Sequence, residues 1–125
     1  MKTYQEKPSM KNIAVILAAI IITGNASWYS TEACRYNPDP KCPMANGESL
    51  YAAEARGENF AAAWFGKFGD RVKVCNKRRS LCTEVVITDR GPARCLHRSI
   101  DLSRRAFEEI ATLEEGIIPV TVEVL

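Results

Sequence analysis

The chain has 125 residues, of which 46% are apolar, an ordinary composition for one globular domain with its own core. Three lysines and one glutamate in the first 26 residues account for the whole formal charge of +2. The other 99 residues hold fourteen basic and fourteen acidic side chains. That balance gives no support to a general affinity for nucleic acid or anionic membranes, and we predict no nucleic-acid partner.

The first feature along the chain is an apolar block at residues 13–23, shorter than the roughly 20 residues of a transmembrane helix. Lysines precede it, and the small residues of Gly24-Asn25-Ala26 fit a signal-peptidase site. We therefore predict that residues 1–26 are a secretory signal cleaved near Ala26, and that residues 27–125 form the exported domain. An uncleaved anchor and a start at Met10 are the alternatives. No cysteine ends the block, so we predict no lipid anchor.

Five cysteines follow this segment, and export would place them in an oxidising compartment where disulfides persist. Cys75 and Cys82 flank a basic hairpin tip, whereas Cys34 and Cys42 bracket a proline-rich loop, so we predict two disulfides. Closing so short a loop stabilises by about 2–3 kcal/mol. Cys95 is left over, free or exchanged into another pairing. Zinc is disfavoured because the chain has no Cys-x-x-Cys pair and one histidine, and we predict no metal and no cofactor.

The first half of the domain has few sequence patterns that are typical of helices or strands. Trp28 and Tyr29 lie in a short opening strand, and residues 33–50 are rich in Pro, Asn and Gly, which predicts a long loop. Residues 51–65 are rich in alanine but interrupted by Gly57. We predict a helical turn or two there, followed by loop.

The second half alternates strands with one helix. Residues 71–76 and 82–88 read as strands that are joined by the basic hairpin. Ser103 suits a helix N-cap before a helix at 104–113, and alternating valines predict a closing strand at 120–124. Several short strands with one helix indicate a small closed β architecture.

The stretch with most functional promise follows the apolar run Val85–Ile87. It carries Asp89 to the end of a buried strand, which Gly91-Pro92 then terminates. A carboxylate held there is well placed to act on a ligand. The competing interpretation is a turn aspartate that hydrogen-bonds its own backbone.

Two motifs in this region carry a family resemblance. Thr-Asp-Arg-Gly-Pro at 88–92 and Ile-Asp-Leu-Ser at 100–103 resemble the core signature of the rare lipoprotein A-like double-psi β-barrels. Four further segments resemble family motifs in the family's order: Ala26–Ser30, Ala45–Glu48, Phe68–Val74 and Pro119–Val124. The resemblance covers about residues 26–125. It implies a mainly β fold, a six-stranded double-psi β-barrel with one short helix in the C-terminal half.

The resemblance also implies peptidoglycan glycan strands as the partner. Some members are lytic transglycosylases, which cleave the β-1,4 bond between N-acetylmuramic acid and N-acetylglucosamine and leave a 1,6-anhydro end. This chemistry needs a proton donor and a base. Asp89 matches the motif aspartate and is the predicted acid/base. Glu48 matches the glutamate of the family's first loop motif and is predicted to be a second catalytic or substrate-orienting carboxylate. Arg90 must point away or bind substrate, whereas Asp101 and Ser103 are predicted to serve the helix start.

Aromatic side chains could stack on sugars, and Trp28, Tyr29 and Trp64 are the candidates, with burial in the core as the alternative. The chain departs from the family at Ala63, which aligns with a histidine that is associated with activity in many members. The remaining histidine, His97, lies in a loop and has no motif match.

Three functions follow in order of preference. The first is a secreted, monomeric lytic transglycosylase. The second is a non-catalytic glycan-binding or wall-loosening module, similar to the expansin and barwin barrels. The third is a disulfide-stapled barrel that binds a protein partner.

Overall fold

A computed structural model describes residues 20–125. No helix in this part of the chain has the length and apolar character needed to cross a membrane. Short 3₁₀ turns occupy Thr31–Cys34, Arg94–Leu96 and Leu113–Glu115. The strands and α-helices are β1 (Ile21–Tyr29), α1 (Leu50–Ala55), β2 (Phe60–Ala63), β3 (Arg71–Asn76), β4 (Cys82–Asp89), β5 (Ile100–Ser103), α2 (Arg104–Ile110) and β6 (Ile118–Val124).

The six strands close into a barrel in the order β1-β5-β2-β4-β3-β6. Two neighbouring pairs, β1 with β5 and β2 with β4, are parallel, and the other four are antiparallel. Each of these six strands therefore has a hydrogen-bonded neighbour on both sides, so closure leaves no unpaired sheet edge within residues 20–125. The predicted six-stranded double-psi barrel is confirmed.

The core fills the barrel because side chains alternate between its two faces. In β3, for example, Val72 and Val74 are buried whereas Arg71 and Lys73 are exposed. Helix α2 covers one side of the barrel and adds Ala106, Phe107 and Ile110 to the same core. A second, smaller cluster packs beside it and consists of Cys34, Cys42, Met44, Leu50, Ala53 and Phe60.

Two predicted segments differ from the structure. Residues 60–63 form β2, not loop, because this segment pairs with β4 on one side and β5 on the other, which overrides the weak strand preference of alanine. Helix α2 ends at Ile110, three residues before the predicted end, since Ala111 is extended. Thr112 then caps a separate 3₁₀ turn that contains Leu113.

The predicted signal sequence overlaps the barrel. Residues 1–19 of it lie outside the described residues, but Ile21 to Ala26 pair with β6 along their whole length. Ala26 is fully buried in the core. Cleavage after Ala26 would remove six of the nine residues of β1. Cleavage itself stays a prediction.

Both predicted disulfides are present, Cys34–Cys42 and Cys75–Cys82. The second joins directly paired positions of β3 and β4. Cys95 is exposed and unpaired. The pairing predicted from the sequence is confirmed.

Candidate functional site

A cavity of about 270 Å³ opens at the end of β4, where the small cluster meets the barrel. Its walls are formed by the disulfide-closed loop 33–44, the start of α1, residues 89–93 at and after the end of β4, and positions of β1, β2 and β5 that face away from the barrel core. The lining residues are Tyr29, Ala33, Asn37, Cys42, Pro43, Met44, Leu50, Ala62, Asp89, Arg90, Gly91, Pro92, Ala93 and Asp101.

Asp89 lies at the end of β4, as the sequence predicted, and its carboxyl group faces the cavity. Oδ1 accepts hydrogen bonds from the backbone N–H groups of Ala45 at 2.8 Å and Arg90 at 2.9 Å. Oδ2 accepts a third from the hydroxyl of Tyr29 at 3.0 Å. The bond to its neighbour is the local one expected of a turn aspartate, but the other two bind Asp89 to distant segments. The carboxyl group is therefore held in one orientation.

Asp101 is the second carboxyl group of the cavity, and its predicted role as a helix-start residue is wrong. It lies within β5, whereas Ser103 is the N-cap of α2 and accepts a hydrogen bond from the N–H of Ala106. Oδ1 of Asp101 accepts a hydrogen bond from the hydroxyl of Ser27 at 3.1 Å. Burial is the main reason that its pKa rises to about 6, and the charge of Asp89 adds to the rise.

Tyr29 is the one predicted aromatic residue that lines the cavity. Its ring packs edge-to-face on Phe60, with centroids 5.9 Å apart, and its hydroxyl reaches both Asp89 and the sulfur of Met44. Burial, followed by the charge of Asp89, raises the pKa of the Tyr29 phenol. Tyr29 is thus a hydrogen-bond donor to Asp89 more than a stacking surface.

Glu48 does not line the cavity. Its carboxylate forms an ion pair with Arg56 at 3.0 Å, and the same guanidinium also binds Glu58 at 2.8 Å. The loop that carries Glu48 does contact the site, because it supplies the Ala45 N–H that binds Asp89. The structure therefore gives the motif a positioning role and leaves the glutamate outside the cavity.

The guanidinium of Arg90 points away from Asp89. It donates to the carbonyl oxygens of Ala63 at 2.9 Å, Phe65 at 3.1 Å and Gly66 at 3.0 Å. It also lies 4.4 Å from the centroid of the Phe68 ring. These contacts use three of the five guanidinium N–H donors and fix the segment after β2. Arg90 also lines the cavity, and its substrate-binding role stays a prediction.

The two tryptophans have different environments. Trp28 is partly buried against the barrel core and donates to the carbonyl of Leu113 at 3.2 Å, which favours the core alternative over stacking on a sugar. Trp64 is 46% exposed and donates to the carbonyl of Pro92, a wall of the cavity, at 2.6 Å. The guanidinium of Arg94 covers its ring at 4.6 Å from the centroid.

Comparison with known proteins places this chain in a family. The family model described as lytic transglycolase matches residues 21–122. The chain belongs to this family of rare lipoprotein A-like double-psi β-barrels. An uncharacterized protein of Synechocystis sp., ssl3177, is 39% identical over 79 residues, which cover 63% of this chain and 78% of that protein.

Solved structures with the same fold are more distant in sequence. A Clavibacter michiganensis expansin variant in complex with cellohexaose has a TM-score of 0.61 at 18% identity, over 85% of this chain and 50% of that one. The chain thus spans half the length of the expansin. The Streptomyces papain inhibitor has a TM-score of 0.61 at 23% identity, over 85% and 94% of the two chains. Cerato-platanin 3 from M. perniciosa has a TM-score of 0.56 at 11% identity, over 83% and 94%.

The predicted departure of this double-psi barrel from its family at Ala63 concerns a buried position. Ala63 is fully buried in the barrel core, whereas its neighbour Ala62 lines the cavity. His97 is exposed and is not among the lining residues. No histidine lines the cavity in the part of the chain that the structure describes.

The sequence analysis of this double-psi barrel named Asp101 but gave it another role, and it missed Ser27 and the wall residue Met44 as contributors to the site. A signal for Asp101 was available, because Ile100 and Leu102 are apolar and an alternating strand turns the residue between them to the other face. Met44 gave no signal, since its contact with the Thr88 hydroxyl at 3.3 Å depends on how a long loop folds back.

Proposed function

We propose that this chain is a glycan-binding domain that acts on peptidoglycan strands as a lytic transglycosylase, with Asp101 as proton donor and Asp89 as proton acceptor. The observation that carries the proposal is one cavity lined by two carboxyl groups in different environments. Asp101 is largely buried and has its pKa raised to about 6. Asp89 is held by three hydrogen-bond donors. Such a contrast suits one acid and one base.

The carboxyl groups of Asp101 and Asp89 have different roles in this reaction. Protonated Asp101 gives its proton to the glycosidic oxygen as the bond from that oxygen to C1 of the muramic residue breaks. The 6-hydroxyl of the same residue bonds to C1 and loses its proton to Asp89, which closes the 1,6-anhydro ring. No water is consumed. Ser27 would orient Asp101, and Tyr29 would orient Asp89.

Glycan as the ligand class has further support. The cavity combines a tyrosine, an asparagine and two carboxyl groups with apolar wall residues, a mixture that suits a sugar's hydroxyls and ring faces. The expansin with the same fold was solved in complex with cellohexaose. Trp64, exposed beside the Pro92 wall, would contact a glycan there.

A non-catalytic glycan-binding or wall-loosening module is the second candidate. The ion pair of Glu48 with Arg56 and the burial of Ala63 favour it, because neither position supplies a catalytic group to the cavity. The two candidates share the binding site and differ in whether a bond is cleaved.

Export to the periplasm, cell envelope or extracellular space is part of the proposal. Two disulfides in a domain of this size are typical of an oxidising compartment. Fractionation of the producing cells tests this point, and a cytoplasmic protein with reduced cysteines would contradict it.

The deciding experiment incubates the protein with purified glycan strands and measures anhydro ends by mass spectrometry, with binding by pull-down measured separately. Asp101→Asn and Asp89→Asn should each lower cleavage by about 10²–10⁴-fold. Glu84→Gln is the matched control, because Glu84 lies on the exposed face of β4 and pairs with Arg71. Binding without anhydro ends in the wild type would establish the second candidate.

A further inference from the structure

The cavity is small for an oligosaccharide. Its 270 Å³ falls just below the usual range of about 300–1,000 Å³ for ligand sites. A pyranose ring fills most of such a space, so the neighbouring rings of a glycan chain must lie on the surface around it. Affinity for a long glycan therefore depends on side chains beside the cavity.

Tyr36 is one such side chain, and it is 88% exposed. It is flanked by the loop residues Ala33 and Asn37, which both line the cavity. No sequence motif pointed to it. Its ring is a large apolar surface left in water, on a loop that supplies part of the cavity wall.

The loop that carries Tyr36 is held in shape by a disulfide and by hydrogen bonds within the loop. The Cys34–Cys42 disulfide closes it, the Asn37 N–H donates to the Cys34 carbonyl at 3.0 Å, and the Cys42 N–H donates to the Asp39 carbonyl at 2.9 Å. The Asn37 side chain accepts from the Asp39 N–H at 2.9 Å. The backbone that presents Tyr36 is therefore ordered before any ligand arrives.

A rigid loop favours affinity, because the loss of conformational freedom on binding opposes association. A tyrosine has only two side-chain torsions, so on a braced backbone its ring offers contact area at a low entropic cost. A β-linked pyranose presents a face of C–H groups that fits an aromatic ring, and its hydroxyls stay in water at the edge.

We propose that Tyr36 forms a sugar subsite outside the cavity, where its ring stacks on a pyranose ring of a glycan chain whose neighbouring ring occupies the Asp89–Asp101 cavity. The proposal rests on the proposed glycan-binding function. Tyr36 would then make the affinity depend on glycan length. A glycan that ends inside the cavity does not reach Tyr36, whereas a longer one does.

The test compares Tyr36→Ala and Tyr36→Phe with the wild type by calorimetric titration with the β-1,4-linked disaccharide and hexasaccharide of N-acetylglucosamine. Tyr36→Ala should weaken hexasaccharide binding by about tenfold and leave disaccharide binding unchanged. Tyr36→Phe keeps the ring and should bind both like the wild type. Leu81→Ala is the control, since Leu81 is an exposed apolar side chain at the β3–β4 hairpin, whose residues do not line the cavity.

The outcomes distinguish the Tyr36 subsite from the glycan-binding function on which it rests. Wild-type affinity of Tyr36→Ala for the hexasaccharide would overturn the subsite and leave the proposed function intact. An equal loss for both oligosaccharides would also overturn it, because the substitution would then have deformed the cavity. If the wild type binds neither oligosaccharide and no purified glycan strands, glycan binding itself is refuted and the subsite with it.

Discussion

The hydroxyl of Tyr29 lies 3.0 Å from Oδ2 of Asp89, so the end of β1 is bonded to the end of β4 across 60 positions of sequence. The pKa of Tyr29 is raised chiefly by burial and next by the charge of Asp89. The phenol therefore stays protonated and donates. A candidate catalytic carboxyl group is oriented here by a residue that belongs to another strand.

Tyr29→Phe tests that relationship. The ring and its packing on Phe60 are kept, whereas the donor to Asp89 is lost. Loss of a hydrogen bond to a charged group should lower the free energy of unfolding by about 1.5–3 kcal/mol, measured by urea denaturation. Glycan cleavage should fall as well, since Asp89 gains rotational freedom. Tyr51→Phe serves as the exposed control, and equal stability of the two variants would contradict the orienting role.

The raised pKa of Asp101 predicts how stability depends on pH. The fold favours the protonated form, because burial and the charge of Asp89 outweigh the opposing effects of Ser27 and Arg98. Stability from this group is complete below about pH 4, the unfolded pKa, and is lost as the pH rises through about 6.

Asp101→Asn should therefore stabilise the protein above pH 6, by at most about 3 kcal/mol, while it lowers cleavage by about 10²–10⁴-fold. Below pH 4 the variant and the wild type should unfold at similar temperatures. Thermal unfolding across this pH range measures the difference. A variant less stable than the wild type at pH 7 would show that ionised Asp101 supports the fold.

Ala63→His is expected to damage the barrel instead of restoring activity. Ala63 has no exposed surface and is paired with Ile100, so an imidazole would have to displace core side chains and bury polar nitrogens. Overpacking typically costs about 1–3 kcal/mol, and an unpaired polar group adds to that. Chemical denaturation is the measurement, with Lys67→His as an exposed control. A stable variant with increased cleavage would mean that the ring reaches the cavity.

The two disulfides should differ in their effect on the site. Cys34–Cys42 closes a loop that lines the cavity, whereas Cys75–Cys82 lies at the β3–β4 hairpin and lines no part of it. Replacing either pair by alanines should lower stability by about 2–3 kcal/mol. Glycan binding, measured below the transition temperature, should fall only in the first variant. Equal binding by both variants would show that the loop keeps its shape without the bridge.

A variant that begins at Ser27 should lose most of its stability. Residues Ile21 to Ala26 pair with β6, and Ala26 is part of the core, so their removal opens the barrel. A variant that begins at Ile20 retains the complete β1 and is the control. Circular dichroism and denaturation compare the two, and N-terminal sequencing of the exported protein locates any natural cut. A folded, stable domain starting at Ser27 would contradict the need for the first part of β1.

The sequence by itself determined the repeating, local features. Alternation in β3 and β6, the N-cap at Ser103 and the cysteine spacings each depend on neighbours in the chain, and the structure confirms them. The motif aspartate Asp89 was likewise placed at a strand end from local signals. The pattern of short strands indicated a closed β architecture, and the family motifs added the double-psi topology, which no periodicity reveals.

Only the tertiary structure decided which polar groups meet. Asp101 lines the cavity because β5 pairs with β1. Glu48 lies outside the cavity, where its carboxylate forms an ion pair with Arg56. The alanines of β2 became a strand through partners more than twenty positions away. Contacts between segments distant in sequence depend on how the barrel closes. The local conformational preferences of the residues do not determine that closure.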